Sequence, residues 1–273
     1  MERDTTAVGE PERGCYVYGI VRDDRRPMLD DLTGVASTPL DFVRFGALAA
    51  VVAGVSRSDF PQDPLTTAGE SRWLEAAVRA HEAVLERCLE HGPVLPMRFA
   101  TTFRTPDDVQ QLLDTHHVHF EAVLAQLGGR HEWGVKARLD EAVLVDWVRT
   151  QRPDLREAQQ ALRAQPAGTA YLAQKRLDRE VAAAGDAAVH ERVAAAHQRL
   201  AETSVDSRSL SLPTGEQPPL RTCLNAAYLV DVSGQERFRA AVDALTREHA
   251  PVGLRYELSG AWPPYNFVPA APA

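Results

Sequence analysis

Between residues 15 and 140 the spacing of apolar side chains switches repeatedly between a period of two and a period of 3.6. That switching limits the fold most, because such a chain must pack sheet against helix. Cys15-Tyr16-Val17-Tyr18-Gly19-Ile20-Val21 reads as a strand rich in β-branched and aromatic residues. Residues 42–45 and 48–53 flank Gly46-Ala47 and predict a hairpin. Its second arm is apolar on both faces, as a central strand is. Leu74, Ala77, Val78, His81, Leu85, Cys88 and Leu89 then recur at three and four residues, one stripe of a helix that ends at Gly92-Pro93. Residues 94–99 follow as an extended run, in which Pro96 marks an edge or a bulge. Thr105-Pro106-Asp107-Asp108 combines a cap, a first-turn proline and acids at the positive end of the dipole. The stripe Val109, Leu112, Leu113, His116, Phe120, Val123, Leu124 and Leu127 continues that helix to Gly128-Gly129. Trp133, Val135, Ala137 and Leu139 alternate with polar or small residues as a half-buried strand. Residues 15–140 therefore read as an α+β domain of the split βαβ, ferredoxin-like kind with an extra strand.

Alanine, arginine, glutamine and glutamate dominate from 141 to about 205, and strand signals vanish. Leu177, Val181, Ala184 and Ala188 are spaced four, three and four apart. Val189, Val193, Ala196 and Leu200 repeat the pattern one residue out of phase. The expectation is two helices packed as a hairpin or short coiled coil, with Pro166-Ala167-Gly168 as the turn. Residues 206–221 hold Pro213, Gly215, Pro218 and Pro219 and read as a linker. A strand–helix–strand unit over 222–260 follows, with Ser233 to Glu236 at capping-box spacing. Residues 261–268 form an aromatic, proline-stiffened tail, and residues 1–14 are expected to be a disordered tail. The C-terminal domain thus runs over 141–273.

The formal charge of −8 supplies no excess of cations for a phosphate backbone, so no nucleic-acid partner is expected. No run of about 18 apolar residues exists, so no membrane span is expected. The N-terminus shows no signal peptide. Cys15, Cys88 and Cys223 are far apart and odd in number, which fits a reducing cytoplasm and core packing.

The search for chemistry is mostly negative. GxGxxG, the P-loop and GxSxG are absent from the sequence. His81-Glu82-Ala83-Val84-Leu85 opens like HExxH, but leucine stands where the second histidine is required. His116-His117-Val118-His119 lacks an apparent carboxylate or cysteine partner, so packing and solvent exposure are expected rather than a metal. Arg98, at the end of an apolar run, needs either an ion pair or a partner. Trp262, Tyr265 and Phe267 would be costly to leave solvated, so the tail either folds back or docks onto another chain.

Six motifs carry a resemblance. They are 16–21 (YVYGIV), 94–99 (VLPMRF) with Thr101-Thr102-Phe103, and 132–136 (EWGVK). The others are 168–172 (GTAYL), 224–230 (LNAAYLV) and 257–268 (ELSGAWPPYNFV). In this order the chain resembles the gas vesicle protein family GvpF/GvpL. It departs at Ala100, where glycine is common, and at Ala261, where proline is frequent. The resemblance implies a modified ferredoxin-like N-terminal domain and a C-terminal α+β domain with a helical hairpin. It implies a cytoplasmic, gas vesicle-associated accessory protein that binds the small hydrophobic shell protein and other gas vesicle proteins. No enzyme activity and no cofactor are implied. Arg98, Trp133, Tyr171, Trp262, Tyr265 and Phe267 are the candidate partner-binding residues, each with a purely structural alternative. A minor component retained on the shell, and a small-molecule binder or enzyme on a ferredoxin-like scaffold, are the competing readings.

Overall fold

The computed structural model describes residues 13–56, 68–163, 167–213 and 220–268. The chain divides into two compact units, one of residues 1–130 with 262–273 and one of residues 131–261.

The first unit contains strands β1 (Arg13–Arg22), β2 (Leu40–Phe45) and β3 (Leu48–Ser56), then helix α1 (Ala68–His91). Strands β4 (Val94–Pro96) and β5 (Thr102–Phe103) and helix α2 (Pro106–Leu127) follow. The sheet order is β2-β3-β1-β4, with β5 also on β1, and these pairings are antiparallel. The first strand therefore lies inside, between the second arm of the hairpin and the strand after α1, as in a split βαβ fold. The modification is in the first crossover, where short 3-10 turns at Asp23–Arg25 and Val35–Ser37 stand in place of a helix. β1 is central because its residues are apolar in both directions: Tyr16, Val17, Tyr18, Ile20 and Val21 are all buried. Tyr16, Tyr18 and Val21 share one core cluster with Ala49, Val51 and Ala53 of β3 and with Val84, Leu85 and Cys88 of α1. α2 begins with the expected capping box, Thr105 accepting from the Asp108 amide and Asp108 accepting from the Thr105 amide.

A register shift between Val17 and Gly19 keeps this face inward as β1 passes β3. A Cβ on Gly19 would lie 2.9 Å from the Leu95 carbonyl oxygen and 2.9 Å from Leu85 Cδ2. Only glycine lets β4 and α1 approach there.

The second unit contains β6 (Arg130–Asp140), α3 (Glu141–Gln151), α4 (Pro153–Arg163) and α5 (Ala167–Ala201). β7 (Asp206–Ser209), β8 (Leu220–Asp231), α6 (Gln235–His249) and β9 (Leu254–Trp262) complete it. Its sheet order is β7-β8-β6-β9. This repeats the arrangement of the first unit, with the first strand inside and the second outside.

Several boundaries differ from the sequence reading. Arg13 and Gly14 belong to β1, opposite Ser56 and Val55, and residues 1–12 lie outside the described residues. The strand at 133–139 joins the second sheet, so the units divide near 130 and not at 140. Alternation identifies a strand but not the sheet it enters. Here the inward residues Trp133, Val135, Ala137 and Leu139 pack with Leu144, Tyr228 and Phe238. The tail 262–268 belongs to the first unit.

The phase break at 188/189 does not separate two helices. α5 is continuous, and Leu177, Val181, Gly185, Val189, Ala196 and Leu200 form one buried stripe. Steps of four, or seven for two turns, keep close to 3.6 per turn, and a heptad template drifts against that stripe. A Cβ on Gly185 would come within 2.9 Å of Leu144 Cδ2, so this glycine brings α3 close to α5. The hairpin is α4 against α5, pinned by paired amides between Gln159 and Gln174. Ala167 and Gly168 are already helical, and Pro166 lies outside the described residues. The expected linker contains β7, a polar edge strand whose sequence, Asp-Ser-Arg-Ser, carries no strand signal. The spacing Ser233 to Glu236 forms no capping box, because a 3-10 turn occupies Val232–Gly234 and α6 starts at Gln235 without a side-chain cap.

Replacing Gly19 with alanine forces β4 or α1 outward. The expected loss is about 2 kcal/mol, typical of overpacking. Urea unfolding of the full chain checks it, with a lower midpoint and an unchanged slope.

Candidate functional site

Two of the six motifs, through Tyr16, Tyr18 and Phe99, meet in the first unit around His81. The Tyr16 hydroxyl lies 3.0 Å from His81 Nδ1 and accepts the Ala100 amide at 3.0 Å. Both contacts are satisfied when Tyr16 donates to an unprotonated Nδ1, which leaves the imidazole proton on Nε2. Tyr18 stacks on the same ring, with centroids 5.5 Å apart, and Phe99 meets it edge-on. The Tyr18 hydroxyl in turn accepts the Val35 amide at 2.7 Å. His81 is buried, and its Nε2 has no hydrogen-bond partner among the described residues. Burial drives its pKa down from 6.5 to about 4, against a smaller upward pull from the Met97 backbone. This histidine is a neutral core residue on helix α1, as its place on the apolar stripe indicates.

Arg98 follows β4 at the start of a tight turn. Its carbonyl accepts both the amide and the hydroxyl of Thr101. The side chain is exposed, and no ion pair engages it among the described residues. The expected structural ion pair is therefore not present there, and Arg98 remains a surface cation. Ala100, two residues on, has φ +65°. That left-handed conformation accounts for a glycine preference at this position. Ala100→Gly is expected to stabilise the chain by about 1 kcal/mol. A raised thermal midpoint checks it.

The aromatic tail folds back onto the first unit. Pro263, Pro264 and Phe267 are buried. Tyr265 packs against the α1–sheet cluster and donates its hydroxyl to Glu82 at 2.9 Å. Trp262, 39% exposed, is the large aromatic of the tail that keeps substantial surface. In the second unit Trp133 is 2% exposed, a core residue with Arg239 stacked 4.6 Å over its ring. Trp133 thus offers no surface for a partner, because it is consumed by its unit's core, and Phe267 is buried as well.

Tyr171 is different. It is 59% exposed near the start of α5, with Lys175 over its ring at 4.9 Å. Beside it Leu172 is 74% exposed, a residue the sequence reading passed over inside its motif. One flank of the α4–α5 pair forms a groove of about 360 Å³. Ala158, Ala161 and Leu162 of α4 and Ala173 and Leu177 of α5 line it, with Arg176 and Glu180 also on its wall. Arg176 and Glu180 pair with each other at 3.0 Å. Apolar side chains and a groove are thus presented together on one helical hairpin.

The comparisons with known proteins are decisive. The profile of the gas vesicle synthesis protein GvpL/GvpF family matches residues 14–269. The chain belongs to that family. It is 32% identical to gas vesicle protein L of Streptomyces sp. (strain CB03234), over 94% of this chain and 93% of that one. It is 31% identical to gas vesicle protein F of the same strain, over 93% and 98%. The crystal structure of GvpF from Anabaena sp. PCC7120 shares the fold, with a TM-score of 0.70 at 18% identity over 93% of this chain and 97% of that one. The GvpF structure from Microcystis aeruginosa matches with a TM-score of 0.62 at 19% identity, over 93% and 98%.

This gas vesicle protein has no helix long and apolar enough to cross a membrane among its described residues. Among the same residues no group of three or more His, Cys, Asp or Glu is placed to hold a metal ion. Burial raises the Cys15 thiol to about 11 and the Cys88 thiol to about 12, so neither is a thiolate near neutral pH. A polar hollow lined by Thr203, Asp231, Ser233, Gly234 and Arg237 contains none of these strongly shifted groups.

His81 sets an acid limit. Between the ordinary imidazole value and about pH 4 the unfolded chain binds a proton that the folded core refuses. Stability is therefore complete above about pH 6.5 and falls as pH drops, by about 1.4 kcal/mol per pH unit at most from this group. Burial lowers His131 and His249 too, which adds in the same direction. Denaturant midpoints from pH 7 to 4.5 are expected to fall steeply for the native chain and less steeply for His81→Gln.

Proposed function

We propose that this protein is a gas vesicle accessory factor that binds the small hydrophobic shell protein and keeps it soluble before assembly. A subunit that excludes water from a gas space needs an apolar face. Free in solution, that face is an aggregation hazard. The observation that supports the reading is the α4–α5 hairpin, where Tyr171, Leu172 and an apolar groove lie open on a body of net charge −8. Tyrosine is among the residues that carry most of the energy of many interfaces. The charge keeps a complex with an apolar client in solution. Arg98 and Trp262 are surface positions of family motifs in the other unit and form a second, smaller set of contacts. In this reading the protein is not an enzyme, it needs no cofactor, and it resides with gas vesicles in the cytoplasm.

The test is co-expression with the shell protein, followed by recovery on a tag carried by this chain. The native chain is expected to retain soluble shell protein. Tyr171→Ala with Leu172→Asp is expected to lower the retained amount at least tenfold while circular dichroism stays native. Arg98→Ala and Trp262→Ala are expected to change it by less than about threefold each, as rim contacts do. If the native chain retains none, direct binding of the shell protein is wrong. If the α5 variant retains it fully, the hairpin is not the docking surface.

A further inference from the structure

The motifs at 132–136 and 257–268 meet on one face of the second sheet. Alternation along β6 sends Trp133, Val135, Ala137 and Leu139 into the helix-covered core. Gly134, Lys136 and Arg138 therefore stand on the opposite face. On β9 Leu254, Tyr256 and Leu258 pack with the same core, so Arg255, Glu257 and Ser259 share the face with Lys136 and Arg138. Two contacts fix how the strands match. The Asp140 amide donates to the Gly253 carbonyl at 2.9 Å, and a Cβ on Gly134 would lie 2.7 Å from Ser259 Oγ. Positions 134 to 140 thus match 259 to 253 in equal steps, without net insertion. Lys136 then stands opposite Glu257, and Arg138 opposite Arg255.

Like charges directly opposite on a ladder repel. Arg138 leans diagonally away, its Nε 3.4 Å from Glu257. Lys136 and Arg255 are exposed, and no ion pair or hydrogen bond engages either among the described residues. Of the other acids on β6, Glu132 is buried and Asp140 caps α3 through the Ala142 and Val143 amides. Glu257 alone therefore serves three cations at these positions. The fold accounts for the rest of the 132–136 motif. Trp133 and Val135 are core residues, Glu132 is buried, and a Cβ at Gly134 would strike Ser259. Lys136 has no such structural work.

We propose that this face of β6 and β9 is a docking surface for an acidic polypeptide segment of a partner protein, anchored by Arg138, Arg255 and Lys136. A carboxylate arriving between Arg138 and Arg255 turns their repulsion into a shared ion pair, for which guanidinium geometry is suited. In an extended segment the side chain two residues on is displaced by about 7 Å, one step of the same face, which brings it over Lys136. The net charge of −8 repels a long polyanion, whereas this local cationic excess suits a short acidic segment. The face lies on strands and not on the α4–α5 hairpin, so it does not depend on shell-protein binding.

The experiment offers the full chain a fluorescent decapeptide of alternating glutamate and threonine in about 50 mM salt, and reads anisotropy. The native chain is expected to bind it. Lys136→Gln with Arg255→Gln should weaken binding at least tenfold while circular dichroism stays native. The two single variants should each lose about threefold, which gives the same reading if the double variant folds poorly. Arg72→Gln with Arg247→Gln removes the same charge from exposed positions on α1 and α6 and should change affinity less than twofold. No binding to the native chain overturns the proposal. Equal losses in the two double variants also overturn it, because attraction is then spread over the whole surface. An oligonucleotide of ten thymidines that binds this face more tightly than the peptide overturns it in favour of a nucleic-acid partner.

Discussion

A tyrosine hydroxyl carried into the core on a strand needs a partner, and much of this architecture follows from how that need is met. In the first unit Tyr16 finds His81 on α1. In the second, Tyr228 on β8 finds His197 on α5 at 2.7 Å, and Tyr256 on β9 finds His249 on α6 at 2.9 Å. Each pair ties a strand to a helix by a hydrogen bond between the hydroxyl and Nδ1. An unpaired buried hydroxyl costs on the order of 1–3 kcal/mol, so these pairs fix helix register as well as adding stability. The Tyr16 hydroxyl does more, because its second bond, from the Ala100 amide, shapes the turn that presents Arg98.

The sequence motifs turn out to be largely the record of this interior. Residues 16–21 and 224–230 are inner strands, and 94–99 begins on β4, which pairs with β1. Their aromatic and small residues report packing, as at Gly19, where two neighbours leave no room for a Cβ. That is why the strands and the first two helices were legible from periodicity alone. The sheet that β6 joins was not legible, because alternation encodes two faces but no neighbour. β7 was invisible because a polar edge strand is held by backbone bonds that leave no mark on side-chain type. The continuity of α5 was hidden by an alanine-rich stripe, in which a step of one residue between Ala188 and Val189 looks like a break.

The candidate site was legible only in part. Large aromatics in motifs drew attention to six residues, yet aromatic character alone does not separate an anchor from a core residue. Trp133 and Phe267 are closed in, Tyr265 is tied to Glu82, and Arg98, Tyr171 and Trp262 reach solvent. Leu172, the most exposed large hydrophobic on α5, is unremarkable as a sequence letter and becomes significant only beside the groove of α4 and α5. The two units thus divide the work in physical terms. One spends its aromatic residues on a closed core capped by the returning tail, and the other extends an alanine-rich hairpin whose small residues leave a groove.

The central claim is that this hairpin is where an apolar client binds. Hydrogen–deuterium exchange of the full chain, alone and in complex with co-expressed shell protein, tests it most directly, because amide protection reports local burial without any substitution. The account predicts slowed exchange concentrated in residues 158–180, with the strands of both sheets unchanged. Protection confined to the first unit, or a complex with no change in the hairpin, would contradict it.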